Sequence, residues 1–428
     1  MTTETSAARR TKNQVAVPVV LDYLLSHLGF YCLLPVLPVL LGRMHQGVGP
    51  LLIGTSLFTF TFTYKGASLF CAGLLQRLPI RLAIPGGLTL AGLGFALLPL
   101  SPHPLVTLLF LVVAGVGISV NGITARMYVA MALESAGERN SVFAGIQVAI
   151  NVSAAVGPIV ANFLVDGPHE KRLLLLVAAI YWVSAAVMSL CVPSGLRPGD
   201  GDARKPLRLG LIKAMVTDRR VRTVSLVTLA GSFLYGQFFS AFAIHVTHIA
   251  DSATARASFF TLNAVLIVVL QMAVSAFTNR GLERGASPMR FLVLGIAVFA
   301  AAFVPLGAST TALTTAYLAV VLFSVAEMLF TPMVSTAFAE FGSERPMVEV
   351  FNFRQVASTA GESLGGFAGG ALFTYAAQHG AGGAYWWGVA AVGTVVPVAA
   401  LARARRRAEP AGAGAGEQRP EAVLDGAS

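Results

Sequence analysis

Long apolar runs separated by short polar breaks decide what this chain can become. A helix that crosses the hydrocarbon core of a bilayer needs about 20 mostly apolar residues. Runs of that kind fall at 15–41, 50–75, 82–100, 105–131, 141–165, 172–192, 222–247, 254–278, 290–308, 313–339, 349–376 and 384–401. Twelve spans are therefore expected, in an all-α membrane protein. Charged residues make up 12% of the 428 and hydrophobic ones 55%. Soluble domains carry roughly 25% charge, so lipid must be the solvent for most of the chain.

The breaks at Arg43 to Pro50, Ser101 to Pro104 and Gly167 to Glu170 are short and turn-like. The stretch from Pro193 to Arg222 is long, polar and basic, and it divides the spans six and six. The expected organisation is an N-tail at 1–14, a six-helix bundle at 15–192, a central loop at 193–221, a second bundle at 222–401 and a disordered tail at 402–428. The basic leader Arg9, Arg10 and Lys12 precedes a run without a small-residue cleavage pattern, so the first run is expected to stay as a helix.

The net charge of +10 raises the question of nucleic acid. No nucleic-acid motif accompanies the basic residues, and their clusters between spans act as topology signals. Loops sharing a side with the N-terminus hold 23 Lys and Arg, and the opposite loops hold 4. The positive-inside rule then places both termini in the cytoplasm, in the cell membrane. High Ala, Gly and Arg usage points to a bacterium with a GC-rich genome.

The halves repeat each other. Glu134-Ser-Ala-Gly-Glu-Arg139 follows span four, and Glu340-Phe-Gly-Ser-Glu-Arg345 follows span ten. Further on, Gln147-Val148 matches Gln355-Val356 and Gly157 matches Gly365. Parallel repeats of this type place a substrate site near the membrane midplane between the halves.

With these features the chain resembles the major facilitator superfamily over nearly its whole length outside the tails. Ala155-Val-Gly157-Pro158-Ile-Val-Ala-Asn in span five resembles the Gly-Pro signature of proton-linked drug antiporters. Gly permits close helix approach and Pro frees a carbonyl and bends the helix. Glu327-Met-Leu-Phe-Thr-Pro332 and Asn263-Ala-Val-Leu-Ile-Val-Val-Leu-Gln271 resemble multidrug and sugar efflux members. The resemblance implies two six-helix bundles that rock to alternate access, with a small amphipathic compound exported against protons. Proton-linked uptake and uncoupled facilitation are the alternatives within transport. A membrane enzyme or a sensor is disfavoured, because His-Glu-x-x-His, Gly-x-Ser-x-Gly and Walker A patterns are absent from the sequence. No cofactor or metal is expected, the proton gradient supplies the energy, and the functional unit is expected to be a monomer in the lipid bilayer with a small-molecule substrate.

Two departures from the family pattern matter. The loop after span two reads Gly73-Leu-Leu-Gln76-Arg77-Leu-Pro79-Ile-Arg81, with Gln in place of the family's acid. Glu349 is the candidate to rebuild a charge latch with Arg77 or Arg81. Leu111 occupies the position where the family's span-four signature carries Arg, which weakens the case for antiport.

Ionisable residues inside spans are functional candidates. Asp22 lies about seven residues into span one and Arg126 about five residues from the same end of span four, so their depths of roughly 10 and 8 Å match. An Asp22–Arg126 pair is expected, either a structural pair or a gating or proton-linked one, which makes Asp22 a proton-coupling candidate. Glu327 lies at the midplane, where low dielectric penalises a charged carboxylate and so suits proton exchange. Asn121 is its repeat mate. Glu362 is a second proton candidate, and Arg354 and Ser358 share its helix face, so a salt-bridge network around Arg354 is expected. Lys65 either snorkels toward the cytoplasm or faces the cavity, where it favours an anionic substrate. His27 is read as a hydrogen-bonder within the bundle. Asn151, Tyr235, Gln237 and Gln271 complete the candidate cavity, with Asn121 and Lys65, and Gly157 and Pro158 are the packing motif.

Overall fold

The computed structural model describes residues 11–44, 49–75, 78–133, 136–165, 170–194, 196, 209–345 and 347–408. The tail after 408 and Arg77 lie outside them. The first half comprises α1 (Lys12–Leu33), α2 (Leu37–Met44), α3 (Pro50–Leu75), α4 (Ile80–Leu97), α5 (Pro104–Ala132), α6 (Ala136–Val165) and α7 (Glu170–Cys191). A short α8 (Leu209–Thr217) lies in the stretch expected to be loop. The second half comprises α9 (Arg219–Gly236), α10 (Ala243–Ile249), α11 (Ala253–Glu283), α12 (Pro288–Ala308), α13 (Leu313–Ala339), α14 (Met347–Phe367), α15 (Thr374–Gln378) and α16 (Gly382–Ala408). A helical segment thus occupies each expected span position. Among the described residues eight helices are long and apolar enough to cross a membrane.

Three spans are interrupted. The first breaks between α1 and α2, where Pro35 and Pro38 each remove a backbone donor. The seventh and eleventh carry π-helical stretches, Phe238–Phe242 between α9 and α10 and Ala368–Phe373 between α14 and α15. The two stretches pack on each other. Such bulges leave carbonyls without their usual intrahelical donor and often mark functional sites.

In the first half α1 packs on α6 and α7, and α4 on α5 and α7. In the second half α9 packs on α14, and α12 on α13 and α16. The halves meet along α3 with α14 and along α6 with α11. These are equivalent pairs under the internal repeat, so one contact is the pseudo-two-fold image of the other. Gly157 and Gly365 show the same equivalence. A Cβ on Gly157 would stand 2.7 Å from the Tyr31 carbonyl carbon of α1, and one on Gly365 would strike the Phe233 carbonyl oxygen of α9. Pro158 is buried beside Gly157 within α6.

α14 has two glycine faces. Gly361, Gly365 and Gly369 press on Leu229, Phe233 and Ser240, while Gly366 and Gly370 press on Leu57 and Gly54 of α3. Small residues let backbones approach and gain packing in a solvent that gives no hydrophobic drive. At the end remote from the chain termini the halves touch backbone to backbone, with a Gly370 Cβ only 2.7 Å from the Gly54 Cα. α2 and α10 also meet there. The outer faces are apolar and exposed, as at Leu190, Met272 and Val269, which suits contact with lipid tails.

Candidate functional site

A cavity of about 300 Å³ lies between the halves. The first half supplies His27, Phe30 and Tyr31 from α1, Phe60, Tyr64 and Lys65 from α3, and Arg126 from α5. The second half supplies Tyr235 at the end of α9, Phe239 and Ser240 from its π-helical stretch, and Glu362 and Gly366 from α14. The walls are mainly aromatic: Phe30 meets Tyr64 edge-on at 5.0 Å, and Tyr235 lies 5.8 Å from Phe239.

Lys65 does not snorkel. Its Nζ donates to Glu362 Oε1 at 2.5 Å, which ties α3 to α14 across the cavity. A carboxylate within reach at the same depth outweighs a long climb to water. Gln355 reinforces the crossing by donating from Nε2 to the Lys65 carbonyl at 2.8 Å. The expected network around Arg354 is therefore not formed. Glu362 is taken by Lys65, and the buried Arg354 Nε has no partner. Arg354 stands near Arg126 and Glu362 in charge.

The expected Asp22–Arg126 pair is not formed either. Asp22 is fully buried and accepts from Ser184 Oγ at 2.7 Å and from Asn121 Nδ2 at 3.3 Å. Arg126 turns into the cavity beside the Tyr23 hydroxyl and His27. Azimuth decides: Asp22 faces α5 and α7, and Arg126 faces the cavity. His27 lines the cavity wall, with Tyr23 stacked on it at 5.0 Å.

Glu327 of α13 accepts from Asn263 Nδ2 of α11 at 3.1 Å, and the same amide donates to Ser324 at 3.0 Å. The Tyr235 hydroxyl faces Glu327 from the cavity wall. Each half thus holds one acid by an asparagine and stations a serine beside it: Asp22 with Asn121 and Ser184, and Glu327 with Asn263 and Ser324. The repeat mates Asn121 and Glu327 occupy equivalent places with exchanged roles.

Four expected cavity residues stand elsewhere. Asn121 is buried on Asp22. Gln237 is buried and serves the backbone, donating to the Gly365 carbonyl at 3.2 Å and accepting from Tyr385 at 2.5 Å. That places it where the π-helical stretch needs a side-chain donor. Asn151 accepts from Gln147, and Gln271 donates to Ser275, each along its own helix. Tyr31, Tyr64 and Phe239 were not singled out as cavity residues, because one aromatic among many carries no azimuthal signal. Glu349 does not reach Arg81, which is exposed at the start of α4. It accepts from Arg345 at 2.7 Å, and Arg345 also donates to Asp218, the N-cap of α9, at 3.0 Å. The charge cluster is thus built inside the second half. No group of His, Cys, Asp and Glu able to hold a metal occurs among the described residues.

A helical membrane protein of two equivalent bundles around a central polar and aromatic cavity is built as a transporter. The family model of the Major Facilitator Superfamily matches residues 19–365, and the chain belongs to that superfamily. Among curated relatives, the multidrug resistance protein MdtH of Cronobacter sakazakii is 24% identical over 83% of this chain and 85% of its own. MdtH of Yersinia enterocolitica is 22% identical over 83% and 86%. Among solved structures, an auto-inhibited POT family peptide transporter aligns with a TM-score of 0.74 at 14% identity, over 92% of this chain and 97% of its own. A bacterial homologue of the human lysosomal transporter Spinster, inward-facing and unoccupied, aligns at 0.68 with 14% identity, over 91% and 95%. At these identities the structural matches speak to the fold.

Proposed function

We propose that this chain is a proton-coupled secondary transporter that exports small amphipathic compounds by alternating access. The observation that carries the reading is Glu327. It is a midplane carboxylate held by a neutral amide, facing a cavity tyrosine, with no ion-pair partner among the described residues. A carboxylate so placed exchanges a proton at lower cost than one locked to a cation. The likeness to proteins named for multidrug resistance supports export. The working unit is a monomer in the cell membrane with both termini in the cytoplasm, driven by the proton gradient without a cofactor and without enzymatic chemistry.

The Lys65–Glu362 pair favours a second reading. A substrate anion that takes Lys65 releases Glu362 to bind a proton, so anion and proton travel together, as in proton-linked uptake. Vesicles containing the purified protein and a pH gradient separate the two. Addition of lipophilic cations, antibiotics and organic acids should drive proton flux opposite to the compound for export, and with it for uptake. Glu327→Gln should abolish the coupled flux while compound binding persists. Compound movement without proton flux, equal in both proteins, overturns coupling.

A further inference from the structure

The charges around the cavity are paired unevenly. Lys65 takes Glu362. Glu327 is held by Asn263, and Asp22 is turned away onto Ser184 and Asn121. Arg126 is left without a carboxylate partner among the described residues. Arg354, on α14 of the other half, stands near both Arg126 and Glu362 in charge. Arg126 is exposed to the cavity, and the Arg354 Nε is buried and unpartnered. Two like charges at membrane depth repel and are poorly solvated.

A guanidinium binds a planar carboxylate through parallel hydrogen bonds. The remaining wall is aromatic, from Phe30, Tyr31 and Tyr64 on one side and Tyr235 and Phe239 on the other. About 300 Å³ is at the small end of the range for drug-sized ligands. We propose that the cavity selects amphipathic organic anions, with a compact aromatic body against these rings and one carboxylate bound by Arg126. This names the substrate class of the transport cavity and rests on the transport reading.

Equilibrium binding to the purified full chain, without any gradient, tests this. The probes are naphthoate, its neutral carboxamide and the cation naphthylmethylammonium, read by displacement of ring fluorescence. Naphthoate should bind about tenfold more tightly than either analogue, the size of one charge-assisted contact. Arg126→Gln should remove that preference and leave carboxamide binding unchanged. Arg126→Lys, which keeps the charge, should retain part of it. Equal binding of all three probes, or tighter binding of the cation, by the unaltered protein overturns the proposal without need of a variant. A preference that survives Arg126→Gln also overturns it. Proton flux driven by cations alone would overturn the anion site and leave coupled transport standing, whereas anion binding without proton flux would do the reverse.

Discussion

At the residue scale the polar groups inside the membrane divide into those that hold the fold and those that face the cavity. Asp22 belongs to the first kind. Asp22→Ala strands the Ser184 hydroxyl and the Asn121 amide in a buried place, which costs about 2 kcal/mol. Thermal melting in detergent should show the loss, and Asp22→Asn should recover much of it. Glu327 stands between the two, held by Asn263 and facing Tyr235 of the cavity wall, and Glu327→Gln should melt near the unaltered protein while losing coupled flux. The ionisable positions themselves were legible in the sequence, because charge is rare in apolar runs. Their partners were not. Depth follows from counting residues, but the face of a helix on which a side chain emerges depends on packing rotations that counting cannot supply. Lys65 and Arg126 point into the cavity for that reason, and Gln237 points away from it.

At the element scale α14 has the most exacting position. Together with the π-helical stretch that follows it, it packs on α9 and the stretch after α9 through Gly361, Gly365 and Gly369 and on α3 through Gly366 and Gly370. Gly365→Val should destabilise the second half by about 1–3 kcal/mol through overpacking, measured as a lower melting temperature. The span positions were legible because apolar length alone marks them. The break after Leu33 was foreshadowed by its prolines, but the π-helical stretches had no marker, since an extra residue in a helical turn leaves hydropathy unchanged. At the start of α9, Asp218 caps Arg220 and Val221 and receives Arg345. The Val221 N–H first, and then Arg345, hold the Asp218 carboxyl below its ordinary range, and Asp218 with Glu349 raises Arg345. The attachment contributes fully above the ordinary aspartate range and is lost as pH falls through the depressed value of Asp218. Proteolysis of the central loop should therefore stay constant from neutral pH down to about 4 and rise below it. Asp218→Ala should remove that acid transition and cost about 1 kcal/mol of helix capping.

At the scale of the whole molecule, two equivalent bundles meet along α3 with α14 and α6 with α11. The repeat was legible from the paired Glu-to-Arg motifs and from Gly157 and Gly365. That Lys65 would be joined to Glu362 across the halves was not, because the pair spans 297 positions of sequence and nothing local links them. Lys65→Glu or Glu362→Lys alone should place like charges in contact and shift the balance between the two access states. The double exchange should restore that balance, read by labelling of cysteines introduced at either end of the cavity.

The contact of Gly54 with Gly370 has a consequence for how the two ends respond to their surroundings. Backbone against backbone offers no side-chain charge for an ion to screen and no group to titrate. At that contact closure depends on steric fit and should be indifferent to ionic strength. The opposite end, with Asp218, Arg345 and Glu349 partly in solvent, sits where a Debye length of about 8 Å at physiological salt weakens attraction. Raising salt should therefore loosen the tie of Arg345 and Glu349 to Asp218 within the second half and leave the Gly54–Gly370 contact between the halves unchanged, so that the ionic medium acts on one bundle's own packing and not on that seal.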